Sequence, residues 1–351
     1  MIRLNMYGWN DRLNQLKQES AYNTLSHGRI AIVHRTCYEV VSESGLYQCE
    51  LTGNMMYGKS DFELPCTGDW VLFQPFDDSK GIIVGMLPRE RTLYRKRNGT
   101  VAGKQAIASY VDKAFIVQSL DDNFNMRRVE RFMVQILEEN IHPVLILNKA
   151  DLPFDKQETE EAIRHLTCRM PVFFTSIHHP ETVSRLRDSI SEGETVVFVG
   201  SSGVGKSSLV NALCERSVLQ TSDISQSTGK GRHTSTRREM VLMDSSGVLI
   251  DTPGIREFGL TVDNPDSLAE MLEISNYAES CRFKDCTHTN EPGCAVLEAV
   301  AEGSLDIKVY ESYLKLKREA WHFSASEHEK RKKEKSFTKL VEEVKRRKAD
   351  S

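Results

Sequence analysis

The sequence has no long hydrophobic run, which argues against a membrane-spanning segment and against an N-terminal signal peptide. It also has no excess of one charge, since 46 Lys and Arg residues face 50 Asp and Glu residues for a net charge of −4. Without a global basic field, any contact with RNA has to come from local patches. The eight cysteines are expected to be thiols or metal ligands rather than disulfides, so we expect a cytoplasmic protein.

What the chain does contain changes along its length, and 351 residues are enough for two or three domains. Short apolar runs broken by Gly, Pro and Asp predict a small β-barrel, whereas apolar strands alternating with amphipathic helices predict an α/β domain with a parallel, doubly wound sheet. The predicted segments are a helical extension at 1–25, the barrel at 26–90, a basic linker at 91–104, the α/β domain at 105–260, a helical Cys/His domain at 261–325 and a charged tail at 326–351.

The first chemical motif is a glycine-rich loop between a predicted strand and a predicted helix. Its backbone N–H groups and the helix N-terminus suit phosphate oxygens. Lys206 would bridge the β- and γ-phosphates, and the Ser207 hydroxyl would bind Mg²⁺. The alternative is a plain glycine-rich turn with a surface lysine. The predicted phosphate-binding residues are Gly200, Ser201, Ser202, Gly203, Val204, Gly205, Lys206, Ser207 and Ser208.

The second motif, Asn148-Lys149-Ala150-Asp151, directly follows an apolar strand. Its aspartate can accept hydrogen bonds from guanine N1–H and N2–H₂, a donor pair that adenine does not offer. Thr175-Ser176 follows the next strand, where a backbone N–H could meet guanine O6. The alternatives are a helix cap for Asn148 and Asp151 and an ordinary turn for Thr175-Ser176.

The third motif, Asp251-Thr252-Pro253-Gly254, follows another short apolar strand. Its aspartate would hold the Mg²⁺ shell, and the Gly254 N–H would meet the γ-phosphate. Between it and the phosphate loop, the glycine- and hydroxyl-rich segment 229–236 suits a switch whose threonine binds Mg²⁺ only with GTP. Thr234 is the predicted Mg²⁺ ligand, with Thr236 as its rival. The alternative is an ordinary flexible loop.

A cluster of soft ligands lies near the C-terminus: Cys281, Cys286, His288 and Cys294. Three thiolates and one imidazole within fourteen residues predict a closed, tetrahedral zinc site with a structural role. A group of buried thiols is the alternative. The other cysteines show no ligand spacing, so core packing is expected for them.

The base-reading motifs come before the phosphate-binding ones, which is the usual GTPase set in rotated order. This order, together with a β-module before it and a Cys/His module after it, resembles the circularly permuted, ribosome-small-subunit-dependent GTPases of the RsgA or YjeQ family. The specific motifs are GSSGVGKSSLVNAL, GKGRHTST, DTPG and the C-x₄-C-x-H-x₅-C cluster. The resemblance spans about residues 28–321 and implies an N-terminal OB-fold, a permuted GTPase domain, a zinc domain and a role in late 30S maturation.

The catalytic residues predicted on this basis are Lys206, Thr234 and His233. Ile255 stands where Ras-like enzymes carry the glutamine that orients water, so we expect slow intrinsic turnover that the small ribosomal subunit stimulates. The similar family has a histidine at the position of His233, and an imidazole can orient water or accept its proton. A solvated loop histidine is the alternative.

RNA binding is indicated by three features: the barrel, the basic linker and the basic tail. The alternative interpretation is a solvated linker and a charged tail without a binding role, and the family resemblance favours binding to 16S rRNA. The basic residues concerned are Arg89, Arg91, Arg95, Lys96, Arg97 and Lys104, with 330–335 and 345–348 in the tail.

Two alternative functions remain: a GTP-dependent binding switch with negligible turnover, and a permuted GTPase with another client. We expect the protein to be a monomer.

Overall fold

The computed structural model describes residues 1–57, 59–60, 62–96, 104–167, 170–215, 239–244, 247–250, 269 and 274–324. The chain divides into two compact units, Met1–Gly259 and Leu260–Ser351. Among the described residues no helix is both long and apolar enough to cross a membrane.

The first unit begins with a closed five-stranded barrel, which confirms the predicted OB-fold. The strand order is β1-β2-β3-β5-β4 with β4 returning to β1, and all pairs are antiparallel except β3 with β5. Large apolar side chains such as Phe73 and Ile83 fill the interior. The strands are β1 (Ser26–Val33), β2 (Tyr38–Ser42), β3 (Gly45–Leu51), β4 (Trp70–Asp77) and β5 (Lys80–Met86), preceded by a 3-10 helix (Leu4–Tyr7) and α1 (Asp11–Glu19) and interrupted by α2 (Gly53–Met56).

The segment expected as a basic linker contributes to an antiparallel hairpin of β6 (Leu93–Lys96) and β7 (Lys104–Ala108). Leu93 and Ile107 are fully buried in the same core as Trp70 of the barrel and Ile116 of the α/β sheet. The density of Arg and Lys in this segment hid the hairpin from sequence analysis, because few of its residues are apolar.

A six-stranded sheet of order β10-β9-β8-β11-β13-β12 follows in the same unit. Its central strands are nearly all apolar because helices or the barrel cover both faces. The edge strand β12 runs antiparallel to β13, a departure from the parallel sheet that the sequence predicts. The elements are β8 (Lys113–Ser119), α3 (Met126–Glu138), β9 (His142–Asn148), α4 (Lys156–Thr167), β10 (Val172–Thr175), α5 (Pro180–Asp188), β11 (Thr195–Val199), α6 (Lys206–Leu213), β12 (Met240–Leu242) and β13 (Val248–Ile250).

Helix α3 shows why sequence periodicity was only a partial guide. One face of the helix is apolar, includes Val129 and Met133, and packs on the sheet. Gln135 is buried as well, and its side-chain amide donates to the Tyr94 carbonyl of the hairpin at 2.9 Å. The helix therefore touches both the sheet and the hairpin.

The described part of the second unit is helical. It contains α7 (Ser275–Ala278), α8 (Ala295–Glu302) and α9 (Ile307–Ser324), with the Cys/His cluster between α7 and the start of α8.

Candidate functional site

The phosphate-binding loop connects β11 to α6, and two of its glycines are required by close contacts. At Gly200, where φ is 150°, an added Cβ would lie 2.4 Å from the Val117 carbonyl oxygen. At Gly205, where φ is 93°, it would lie 2.4 Å from Asn148 Nδ2. The loop therefore packs tightly against β8 and β9 and curls in a way that only glycine permits.

The lysine of the loop folds over the loop's own carbonyls. Lys206 Nζ donates to the Gly200 carbonyl at 2.8 Å and to the Ser201 carbonyl at 2.6 Å. Ser202 and Gly203 form the exposed tip, and Val204 is buried beneath it. Ser207 and Ser208 lie in the first turn of α6, half-buried at the N-terminal end where the helix dipole favours an anion.

Asn148 joins the loop at 148–151, which is predicted to bind guanine and is called the guanine loop below, to the phosphate loop. Its Nδ2 donates to the Val204 carbonyl at 2.9 Å, and its Oδ1 accepts from the Thr175 hydroxyl at 3.1 Å. Asn148 and Thr175 are neighbours in the register of β9 and β10. Three predicted site residues from distant parts of the sequence are thus brought together by one buried amide.

Asp151 is positioned by a single strong contact. The Ser176 hydroxyl donates to Asp151 Oδ1 at 2.5 Å. This hydrogen bond holds the pKa of Asp151 below its usual value, so the carboxylate stays ionised at neutral pH. A fixed, charged acceptor is what recognition of two guanine N–H donors requires.

The hydrogen bonds of the turn after β10 decide which backbone N–H group is available to bind guanine O6. The sequence suggests Thr175-Ser176, but the Ser176 N–H donates to the Thr182 hydroxyl at 3.1 Å, and the His178 N–H donates to the Ser176 hydroxyl at 3.1 Å. In the part of the chain that the structure describes, the Ile177 N–H donates to no acceptor. The Ile177 N–H is therefore available to an incoming acceptor, and no sequence signal distinguishes it because the difference depends on a contact with helix α5.

Lys149 pairs with an aspartate that the sequence analysis did not select. Lys149 Nζ lies 2.8 Å from Asp121 Oδ2, and the Ser119 hydroxyl donates to Asp121 Oδ1 at 2.6 Å. Burial raises the pKa of Asp121, but these hydrogen bonds outweigh it and the net shift is downward. The available signal was its position just past the carboxyl end of β8, where such sheets bind ligands.

Several predicted site residues lie outside the described residues. They are His233, Thr234, Thr236, Asp251, Gly254 and Ile255.

The Cys/His cluster has the dimensions of a tetrahedral metal site. Cys281 Sγ lies 3.6 Å from His288 Nδ1 and 3.9 Å from Cys294 Sγ, and Cys294 Sγ lies 3.5 Å from His288 Nδ1. All four ligand atoms, including Cys286 Sγ, lie within 4.8 Å of one another. Zinc–sulfur bonds of about 2.3 Å in a tetrahedron separate two sulfurs by about 3.8 Å, so the donor set fits zinc.

The ligand loop is held by the chain around it. The Tyr310 hydroxyl of α9 donates to the His288 carbonyl at 2.6 Å. Glu291 accepts hydrogen bonds from the Thr287, Thr289 and Asn290 backbone N–H groups. The four ligand residues could hold a metal ion without rearrangement of the backbone.

Arginines expected to meet RNA are partly engaged inside the fold. Arg89, whose side chain is 12% exposed, pairs with the buried Asp69 at 2.6 Å. Arg91 pairs with Asp112 at 3.1 Å and Arg95 Nε donates to Gln105 at 2.9 Å. The expectation that Arg89 contacts RNA phosphates is therefore wrong, because its guanidinium holds the barrel to its own connecting segment.

Comparison with known proteins gives a consistent result. A family model described as RsgA GTPase matches residues 86–261. A second model, described as ABC transporter, matches residues 183–343, under half of the chain, in a stretch that includes the phosphate-binding loop.

Two curated relatives match nearly the whole chain. A protein from Bacteroides thetaiotaomicron, named small ribosomal subunit biogenesis GTPase RsgA 1, is 75% identical over 99% of this chain and 98% of its own length. A protein from Methanosarcina acetivorans, named small ribosomal subunit biogenesis GTPase RsgA, is 41% identical over 89% of this chain and 84% of its own length.

Solved structures share the fold. YjeQ from Thermotoga maritima has a TM-score of 0.65 at 24% identity and covers 84% of this chain and 98% of its own. YloQ, described as a circularly permuted GTPase, has a TM-score of 0.64 at 25% identity and covers 88% of this chain and 99% of its own. With the permuted order of its motifs, its barrel and its full-length likeness to these relatives, the chain belongs to the RsgA GTPase family.

Proposed function

We propose that this chain hydrolyses GTP to GDP and phosphate as a late-stage maturation factor of the 30S ribosomal subunit. In this proposal the GTP-bound protein binds the subunit, and GTP hydrolysis releases the protein from the subunit. The observation that carries the nucleotide part is the assembled site, in which Asn148 holds the guanine loop against the phosphate loop. The ribosomal part is supported by the names of the full-length relatives.

The residues divide the work by chemistry. Asp151 accepts the guanine N1–H and N2–H₂ donors, and the Ile177 N–H meets O6. The phosphates lie on the N–H groups of 200–207, with Lys206 between the β- and γ-phosphates. Mg²⁺ bound with GTP neutralises phosphate charge, and Ser207, Asp251 and Thr234 or Thr236 are the proposed ligands.

Turnover by the isolated protein is proposed to be slow. Ile255 cannot polarise water, and His233 is the proposed residue that orients the attacking water when the small ribosomal subunit is bound. A GTP-dependent binding switch with negligible turnover is favoured by the same isoleucine, and measured turnover separates the two functions.

One zinc ion is proposed for the Cys281, Cys286, His288 and Cys294 cluster, where it would stabilise the second unit. We further propose that the chain works as a monomer in the cytoplasm, where its ribosomal partner is found.

The proposed 16S rRNA contact rests on the barrel. Tyr57 and Phe76 are 92% and 62% exposed on this module, and exposed aromatic rings suit base stacking. Lysines and arginines that lack internal partners would meet phosphates.

The test is GTP hydrolysis by the purified chain alone and with 30S subunits, 50S subunits or free RNA. Stimulation by 30S alone supports both the enzyme class and the partner. A Lys206→Ala variant serves as the inactive control because it lacks the cation on the β- and γ-phosphates. Tight GTP binding without any stimulation by 30S would contradict the ribosomal assignment, and stimulation by free RNA would indicate another RNA client.

A further inference from the structure

A series of polar contacts extends from the guanine loop into the segment that precedes α3. Lys149 Nζ holds Asp121 Oδ2 at 2.8 Å, and Asp121 Oδ1 accepts the Asn123 N–H at 3.0 Å. The Phe124 N–H also donates to the Asp121 carbonyl, at 2.8 Å. The segment 121–124 is therefore folded around one carboxylate that the guanine loop holds.

Arg128 extends this series of contacts to the phosphate loop. Its backbone N–H is capped by Asn125 Oδ1 at 3.2 Å, which fixes the first turn of α3. Its Nη1 donates to the Ser201 hydroxyl at 2.9 Å and lies 3.5 Å from the Asn123 carbonyl oxygen. The helix cannot shift easily beneath this contact, since Val129 and Met133 are buried in the core.

Ser201 is consequently held from two sides. Arg128 binds its hydroxyl, and Lys206 Nζ binds its carbonyl oxygen at 2.6 Å. The orientation of that carbonyl helps to set where the Lys206 ammonium lies, and Lys206 is the group that bridges the β- and γ-phosphates.

Charge adds a second effect. Among the described residues Arg128 has no carboxylate partner, whereas Lys149 is paired with Asp121. A guanidinium without a counter-ion at the rim of a phosphate site raises the local positive potential, which favours the more highly charged triphosphate.

We propose that Arg128 is a positioning residue of the phosphate site, which fixes Ser201 and through it Lys206, and so favours GTP over GDP and speeds hydrolysis. This rests on the proposed hydrolysis of GTP. It differs from an arginine finger because the guanidinium acts through the loop and not on the phosphate itself.

The test uses the isolated full chain with Mg²⁺. In Arg128→Ala we expect affinity for a non-hydrolysable GTP analogue and the single-turnover rate each to fall roughly tenfold, with GDP affinity changed by less than about threefold. The loss should be larger for the triphosphate because only there does Lys206 meet a γ-phosphate. Arg128→Lys should restore part of the GTP preference, since an ammonium can still donate to Ser201. Arg127→Ala is the matched control, because Arg127 is its exposed neighbour on the same helix turn.

Ser201→Ala provides a second, independent reading. It removes the hydroxyl that Arg128 binds but keeps the Arg128 charge and the carbonyl that Lys206 binds, so it should reproduce the part of the Arg128→Ala loss that comes from positioning. The double variant should be no worse than Arg128→Ala, because both substitutions remove the same hydrogen bond.

The proposal is overturned if GTP and GDP affinities fall equally along with the thermal midpoint, if Arg128→Ala matches Arg127→Ala, or if the two losses are additive. These readouts use nucleotide and protein only. Failure of 30S stimulation therefore leaves this test intact, and failure of this test leaves the ribosomal proposal intact.

Discussion

The proposed guanine selection depends at the residue scale on a few fixed polar atoms around Asp151. The Ser176 hydroxyl occupies one carboxylate oxygen, and burial of Asn148 and Thr175 behind it keeps the loop in place. Replacing the carboxylate by an amide exchanges one acceptor for a donor without changing the size of the side chain. The structure therefore allows a test of base specificity that leaves the fold intact.

In Asp151→Asn we expect GTP affinity to fall roughly 100-fold or more, because the amide meets guanine N–H donors with a donor of its own. Xanthosine triphosphate, which carries a carbonyl at C2, should bind more tightly than it does to the unmodified chain. Fluorescent-nucleotide titration measures both. Asp188→Asn, an exposed aspartate at the end of α5, is the matched control. Unchanged GTP affinity would remove Asp151 from base recognition.

The sequence predicted these residues to different degrees for a physical reason. Asn148, Asp151 and the phosphate loop stand in fixed spacings, so the pattern alone identified them. Ile177 and Asp121 depend on which hydrogen bonds neighbouring elements already use. Such competition is a tertiary property, and no local pattern records it.

At the scale of elements, Arg29 joins strand β1 of the barrel to strand β11, which leads into the phosphate loop. Its guanidinium is buried and donates to the Gly68 carbonyl at 2.9 Å, to the Tyr7 carbonyl at 2.5 Å and to the Thr195 hydroxyl at 2.8 Å. Burial lowers the pKa of Arg29 to about 10, so it remains charged at neutral pH. Within the sequence it is one cation in an apolar strand, and nothing local distinguished it from a surface arginine.

Removing this guanidinium should cost the first unit about 2–4 kcal/mol, because buried carbonyls lose their donors. We expect Arg29→Met, which keeps most of the side-chain volume, to lower the urea midpoint of unfolding. Arg12→Met is the control, since the Arg12 side chain is 73% exposed in its pair with Glu90, and it should change stability by less than about 0.5 kcal/mol. Equal stabilities of the two variants would show that Arg29 is not a structural link.

The sequence predicted the main strands of the α/β domain better than it predicted the edge strand and the hairpin. Strands from β8 to β11 follow from their apolar runs. The antiparallel strand β12 and the hairpin at 93–108 could not be predicted in this way. Strand β12 has only three residues, and the basic hairpin lacks the alternating apolar pattern of a strand. Burial of Leu93 and Ile107 by the barrel and the sheet, rather than intrinsic propensity, stabilises the hairpin.

At the scale of the whole molecule, the two units have different sources of stability. The first has extensive apolar cores that include Trp70, Phe115 and Phe198. The described part of the second has only three helices, two of them short, around the Cys/His cluster, and small modules of this kind often depend on a metal.

Metal removal should therefore unfold the second unit selectively. We expect the zinc-loaded protein to show a separate unfolding transition for the second unit. Cys294→Ser, which removes a buried ligand 2% exposed, should abolish binding of one zinc ion per chain and eliminate that transition. GDP affinity should stay the same, because every residue proposed to bind the nucleotide lies in the first unit. Cys37→Ser is the control, because Cys37 belongs to no cluster of candidate metal ligands among the described residues, and this variant should keep its zinc. Zinc retained by Cys294→Ser would contradict the ligand set, whereas loss of GDP binding together with zinc would mean that the metal also supports the nucleotide site.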